Sequence, residues 1–154
     1  MKLSTLCFLL KDDQILLAMK KRGFGEGKWN GVGGKVDEGE GIKHAALREV
    51  HEEIGVTASE GDLEAMGMLH FRSATNKKLN WDVHIFFLRV WHGEPQESEE
   101  MRPQWYFPSQ LPFSEMWPDD RHWLPRVLAG ERIVANFEFD ATDKDFLNIS
   151  IRAL

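Results

Sequence analysis

The stretch from Gly34 to Val56 constrains this chain more than any other. It reads Gly34-Lys-Val-Asp-Glu-Gly-Glu40, then seven residues, then Arg48-Glu49-Val50-His51-Glu52-Glu53-Ile54-Gly55-Val56. Ile42, Ala45, Ala46, Val50 and Ile54 recur at helical spacing, which predicts a helix over Ile42 to Ile54 that ends at Gly55. On such a helix Glu49, Glu52 and Glu53 stand at i, i+3 and i+4 and share about 100° of arc. Like charges at that spacing repel unless a cation lies among them. Carboxylate oxygens are the ligands that Mg2+ or Mn2+ takes, and Mg2+ completes its shell with water and phosphate oxygens. A phosphate-bearing ligand is the functional reading of this face, and a merely solvated acidic face is the plainer one.

Leu3 to Leu10 and Gln14 to Met19 are rich in apolar, strand-compatible residues, and Lys11-Asp12-Asp13 between them suits a turn, so two paired strands precede the helix. Eight glycines fall between Lys20 and Gly41, a density that disfavours regular elements and predicts a loop able to approach a ligand closely. Beyond the helix, strands are expected at Leu63 to Phe71 and Asp82 to Val90, joined by a polar hairpin loop from Arg72 to Asn80. Glu97 to Pro103 reads as a charged connector, and Gln104 to Phe107 as a short strand. A helix over Arg121 to Ala129, with Asp119 or Asp120 as its cap and Gly130 as its end, precedes strand candidates at Ile133 to Phe139 and Phe146 to Arg152. This pattern is α/β or α+β, one domain spanning residues 1–154, with no repeat or linker.

A net charge of −6 excludes the broad cationic footprint that duplex DNA or RNA requires, although a bound metal can reverse the sign at one site. Cys7 has no second cysteine to pair with and reads as a buried strand residue in a reducing compartment. The apolar run Leu6 to Leu10 is too short for a signal core or a membrane span. A cytoplasmic protein, monomeric by default and without membrane or nucleic-acid-polymer partners, is the expectation.

The Gly34–Val56 string satisfies G-x5-E-x7-R-E-U-x-E-E-x-G-U, with U apolar, at Gly34, Glu40, Arg48, Glu49, Val50, Glu52, Glu53, Gly55 and Val56. The chain therefore resembles the Nudix hydrolases. That resemblance implies a mixed β-sheet sandwiched between α-helices, and a loop–helix–loop that binds metal and directs water at a diphosphate linkage. By matching positions, it implies Glu49, Glu52 and Glu53 as ligands of Mg2+ (or Mn2+), with Gly34 offering a carbonyl or a close backbone approach. Arg48 would orient the glutamates and Glu40 would brace the loop. Glu53 is the candidate ligand and base. Glu100 is a second candidate acid from a later loop, with a solvated rim charge as its alternative, and the residues do not choose the base.

Further segments resemble the animal-type oxidised purine nucleoside triphosphate hydrolases: Met19 to Gly25, Trp29-Asn30-Gly31, Asp82-Val83-His84, Glu100 to Pro103 and Met116-Trp117-Pro118-Asp119-Asp120. In those enzymes the positions of Asn30, Trp117, Asp119 and Asp120 form the purine pocket, with Phe24 lining it and Thr5 at its floor. The chemistry agrees: an indole stacks on a purine, a carboxylate accepts from its N–H edge and a protonated carboxyl donates to a keto oxygen. Two adjacent carboxyls in a partly apolar pocket do not both ionise easily. Packing for Trp117 and helix capping for the aspartates are the plainer readings. Lys20, with Lys21 and Arg22, is placed to meet a triphosphate or to form a solvated basic turn. Trp81 adjoins Asp82 and could border the pocket, while His44, His51 and His84 lack metal-ligand spacing.

The resemblance implies a nucleoside triphosphate pyrophosphohydrolase acting on 8-oxo-dGTP, 2-oxo-dATP or O6-methyl-dGTP and thereby cleansing the nucleotide pool. Its rivals are a Nudix hydrolase of another nucleoside diphosphate derivative, such as ADP-ribose, and a nucleotide-sensing module without turnover. Arg72 to Asn80 departs from the animal-type pattern by being polar where relatives are more apolar and acidic, which leaves the base preference open.

Overall fold

The structure, a computed structural model, describes residues 2–154. Eight strands and two α-helices follow the order β1 (Lys2–Lys11), β2 (Gln14–Lys20), β3 (Trp29–Asn30), α1 (Ile42–Ile54), β4 (Leu63–Arg72), β5 (Trp81–Leu88), β6 (Met101–Tyr106), α2 (Asp120–Leu128), β7 (Ile133–Phe139) and β8 (Phe146–Ala153). The strands run β3-β2-β1-β5-β4-β7-β8 across a mixed sheet, and β6 pairs with β2. β1 lies parallel to β5, and β4 parallel to β7, while β4–β5 and β7–β8 are antiparallel. The mixed α/β sandwich expected from the sequence is the observed architecture.

Alternation along β1 builds both faces at once. Leu6 and Phe8 join Leu17, Ile85, Phe87 and Phe137 under α2, whose Trp123, Leu124 and Val127 cover them. Cys7 and Leu9 face the other way, with Leu16, Phe86 and Leu88, and take the α1 stripe of Ala46, Val50 and Ile54. Cys7 is fully buried, and burial pushes its thiol pKa up to about 12, so it is an inert packing residue. Gly55 ends α1 in the left-handed conformation, as its position predicts. No helix among the described residues is long and apolar enough to cross a membrane.

The structure revises four boundaries. β5 stops at Leu88 because its partner β4 begins opposite that residue, which leaves Val90 60% exposed. β6 starts at Met101, inside the segment read as a connector; Pro103 is tolerated because β6 pairs only with β2, so its missing N–H faces an open edge. Within the glycine-rich segment, β3 pairs with β2 at Ala18 and Met19. Residues 32–36 then follow β1, with Cys7 N–H donating to Val32 O at 2.6 Å, Thr5 N–H to Gly34 O at 2.9 Å and Val36 N–H to Leu3 O at 2.9 Å. The glycines serve close approach here rather than freedom: a Cβ on Gly33 would lie 1.8 Å from Thr5 O. Finally, α2 begins at Asp120, and the preceding Asp119 makes no capping hydrogen bond with its side chain.

Candidate active site

The strip 32–36 lies along β1 and meets the polar side of α1. Arg48 organises this junction. Its Nε and Nη2 donate to the two Glu40 oxygens at 2.7 and 2.9 Å, Nη1 donates to Glu49 at 2.9 Å and to Glu52 at 3.3 Å, and Nη2 also reaches Lys35 O at 3.1 Å. Glu40 further accepts from Asp37 N–H at 3.0 Å. Those bonds, Arg48 first, pull the Glu40 carboxyl down to about 2, and the same contacts raise the Arg48 pKa. Glu40 thus stays ionised as the brace of the loop, and Arg48 sets where the glutamates of α1 point.

Glu49 and Glu53 turn together toward Gly33 and Gly34. A Cβ on Gly34 would sit 2.6 Å from the Glu49 carboxyl carbon, so Gly34 makes the room that carboxylate occupies. Glu53 is the perturbed member. Burial first, and then the neighbouring Glu49 charge, push its pKa up to about 8, while a hydrogen bond from Gly33 N–H and the Lys20 charge work the other way. Its Oε2 is buried without a partner. Glu52 stands apart, its side chain 56% exposed beside Arg48. Among the described residues no three His, Cys, Asp or Glu side chains already form a closed metal cage. The donors nevertheless fit a hard divalent cation: two clustered carboxylates, one with an unpartnered oxygen, and a Gly34 carbonyl with a second lone pair free.

From this junction a cleft of about 670 Å³ runs across the sheet to the start of α2. Thr5, Lys20, Phe24, Asn30, Gly34, Glu53, Trp117, Asp119 and Asp120 all line it, so nine of the residues singled out from sequence meet in one cavity. Thr5 is 2% exposed and its Oγ1 has no partner. Asn30 turns its Oδ1 to Gly31 N–H at 2.8 Å. Phe24, although 79% exposed, stacks on Trp117 with centroids 5.2 Å apart. Lys28, which sequence reasoning passed over, puts its ammonium 5.1 Å from the Trp117 ring centroid. Its only signal in the sequence is position beside Trp29-Asn30.

Asp119 and Asp120 are both buried, at 7% and 2% exposure, with their carboxyls adjacent. Trp123 Nε1 donates to Asp119 Oδ2 at 2.9 Å, whereas Asp120 Oδ2 has no partner. Burial raises both pKa values, and the Asp119 carboxyl raises that of Asp120 further. The pair therefore holds on to a proton at higher pH than a free aspartate would. Glu100 is not brought into the cleft; Arg22 holds it through Nε at 2.9 Å and Nη2 at 2.6 Å.

The same fold is found in the MutT protein from Bacillus halodurans, with a TM-score of 0.82 at 26% identity over 98% of this chain and 97% of that one. The chain is 45% identical over 151 residues to the oxidized purine nucleoside triphosphate hydrolase of Mus musculus, covering 98% of this chain and 94% of that protein. It is 47% identical over 142 residues to the protein of the same name from Danio rerio, covering 92% and 89%. A model of the NUDIX domain matches residues 1–127. The braced loop and acidic helix thus lie within a matched domain, in a chain aligned to such relatives over nearly its whole length, and the chain belongs to the Nudix hydrolase family.

Proposed function

We propose that the chain hydrolyses oxidised purine nucleoside triphosphates to the monophosphate and pyrophosphate, with 8-oxo-dGTP the leading substrate and 2-oxo-dATP and O6-methyl-dGTP the other candidates. One observation carries this reading. Among the described residues, the three buried side-chain atoms left without a hydrogen-bond partner are Thr5 Oγ1, Glu53 Oε2 and Asp120 Oδ2, and all three residues line the same cleft. Unpaired buried polar atoms are costly, and their concentration here marks the groups that a polar ligand would satisfy. The mouse and zebrafish relatives, named for oxidized purine nucleoside triphosphates, support the substrate class.

At the base end, an Asp pair that shares one proton would offer a donor and an acceptor side by side, and the Trp117 indole gives a purine its stacking face. At the phosphate end, Lys20 supplies positive charge, and Gly34 keeps the floor low enough for Glu49. Nudix hydrolases generally need a divalent metal. Glu49, Glu53 and the Gly34 carbonyl would hold it here as Mg2+, with Mn2+ as substitute and with Glu52 joining them on leaving Arg48; when bound, such an ion offsets phosphate charge and makes a bound water more acidic. In its ionised form Glu53 would accept a proton from the attacking water, and Glu100 remains outside unless Arg22 releases it. The chain acts as one domain over residues 1–154, as a cytoplasmic monomer without nucleic-acid polymer or membrane.

Product analysis with Mg2+ and a panel of 8-oxo-dGTP, 2-oxo-dATP, O6-methyl-dGTP, dGTP, dATP and ADP-ribose tests this. Monophosphate plus pyrophosphate, formed preferentially from an oxidised purine, is the expected outcome. Turnover of ADP-ribose alone would discard the triphosphate reading, and no turnover at all would leave a sensor. The cradle has its own test. In Gly34→Ala the nearest atoms to the new methyl belong to the Glu49 carboxylate and not to backbone, so turnover is expected to fall by about tenfold to a hundredfold with little change in Tm. Gly33→Ala drives a methyl into backbone and is expected to lower Tm by several degrees, on the order of 2 kcal/mol or more. Equal loss of Tm in both variants would show that Gly34 is only a packing residue.

A further inference from the structure

We propose that Asp143 is a specificity-determining clasp: it ties the polar 73–80 loop to the 140–145 turn, and so builds a movable outer rim on the nucleotide cleft. The proposal rests on the purine nucleotide reading for what enters the cleft, but the clasp itself does not depend on it.

The contacts that make the rim join distant parts of the chain. Ser73 Oγ donates to Asp143 Oδ1 at 2.7 Å and Thr75 Oγ1 donates to Asp143 Oδ2 at 3.0 Å, across 70 and 68 residues of sequence. Ser73 is only 6% exposed. It is also the hub of its own loop: its N–H donates to Asn80 Oδ1 at 2.8 Å, and its Oγ accepts from Asn76 N–H at 3.0 Å. Asp143 sits at φ 56, in the left-handed region that Asp tolerates better than most residues, and Asp143 N–H donates to Asp140 O at 3.1 Å. Two charge-assisted bonds therefore hold a turn that its backbone alone would not favour.

Both clasped segments reach the cleft. Leu79 and Trp81 line it from the loop, and Asp143, Lys144 and Phe146 line it from the turn and β8. Trp81 is steered by the loop itself, since its Nε1 donates to Lys78 O at 3.1 Å. No residue from Ala74 to Lys78 is buried, and none from Ala141 to Asp145 is; the apolar contacts lie at the ends of the two segments, at Leu79 and at Phe146, which packs on Phe137 and Phe139. Between those ends, polar bonds to Asp143 hold the loop to the turn. Releasing them would let Leu79 part from the Asp143–Lys144 turn and widen the mouth of the cleft between strands that stay paired, without touching Glu49, Glu53 or the Asp119–Asp120 pair. The polar loop that departs from the animal-type sequence is accordingly half of a latch, and the base preference of this enzyme is set partly by how wide the latch holds the cleft.

Amide hydrogen exchange and steady-state kinetics on Asp143→Ala, Asp143→Asn and the double variant Ser73→Ala/Thr75→Val test this on the whole chain. Asp143→Ala is expected to accelerate exchange in 73–80 as well as in its own turn, and the double variant to accelerate 140–146 in return, each by about tenfold, the worth of one charge-assisted hydrogen bond. Asp143→Asn keeps an acceptor for Ser73 Oγ and a φ-tolerant residue, and is expected to restore most of the protection. On the preferred oxidised purine triphosphate, Asp143→Ala is expected to raise KM about fivefold to tenfold with kcat within about twofold, and to narrow discrimination against the undamaged nucleotide by a similar factor. Acceleration confined to the mutated segment overturns the clasp. Reciprocal acceleration with KM and discrimination unchanged overturns its part in specificity. If no purine nucleotide is turned over by the unaltered protein, the functional reading has failed, and the exchange experiment still decides the clasp.

Discussion

Replacing Glu53 by Gln is expected to lower kcat on the best purine nucleoside triphosphate by about 10³-fold or more, and at the same time to stabilise the metal-free protein at alkaline pH. The first effect follows from placement: Glu53 is the α1 carboxylate that lines the cleft and keeps an unpartnered oxygen there. The second follows from linkage. Burial and Glu49 raise the Glu53 pKa from its ordinary 4.5 to about 8 in the folded chain. Between those values the native state holds a proton that the unfolded state has released, so stability falls as pH rises through that window. The amide introduced by Glu53→Gln has no charge to bury and lacks this slope. Thermal melts without metal should therefore show the unaltered protein losing Tm from pH 5 to 8 relative to Glu53→Gln, with a gap of several degrees at pH 8, on the order of a few kcal/mol. A variant that keeps a tenth of kcat would remove Glu53 from the reaction, and parallel melting curves would show that its carboxyl is not held protonated.

The legible parts of this protein are those whose cause is local. The α1 stripe of Ala45, Ala46, Val50 and Ile54 specifies a helix by its own period, and the three glutamates follow on its far side. Long-range causes were hidden. The glycines after Lys20 read as a loop that can approach a ligand, yet Gly33 is there because Thr5 O lies where its side chain would be. Met101 and Arg102 look like the end of a charged linker until β2 lies beside them and pairs residue for residue. The apolar run to Val90 carries no mark of where β4 stops supplying partners. At the site, Trp117, Asp119 and Asp120 could be proposed for a purine because they match the pocket positions of the animal-type enzymes; their chemistry agrees, but alone it suits packing and helix capping as well. The Ser73–Asp143 contact could not, since neither residue has a neighbour that announces the other.

In Asp120→Asn, kcat/KM for the oxidised purine is expected to drop by about 10² to 10⁴, chiefly through KM, while Tm rises. Asp120 Oδ2 is buried without a partner, and burial together with the Asp119 carboxyl holds its pKa well above the ordinary 3.8. A base that presents both donors and acceptors needs a pocket that offers both in return, and the pair does so only while it keeps one proton. As pH rises through the raised pKa the proton leaves, two adjacent charges remain, and KM should climb. The carboxamide of the variant nearly matches the carboxyl in volume but has fixed donor and acceptor ends, so it forfeits the match and with it the alkaline rise in KM. The stability change has the opposite sign for the same reason. Above pH 3.8 the unfolded Asp ionises freely, whereas the folded one must keep its proton or bury a charge, so the native state of the unaltered protein loses stability as pH rises toward the folded pKa. The variant escapes that loss, and its Tm advantage should grow as pH rises above 3.8 toward the folded pKa. Because Glu53 lies at the other end of the cleft, its titration should appear in kcat and that of the Asp pair in KM. If Asp120→Asn leaves KM and its pH profile unchanged, the pair is a buried structural feature of α2 and base recognition lies elsewhere in the cleft.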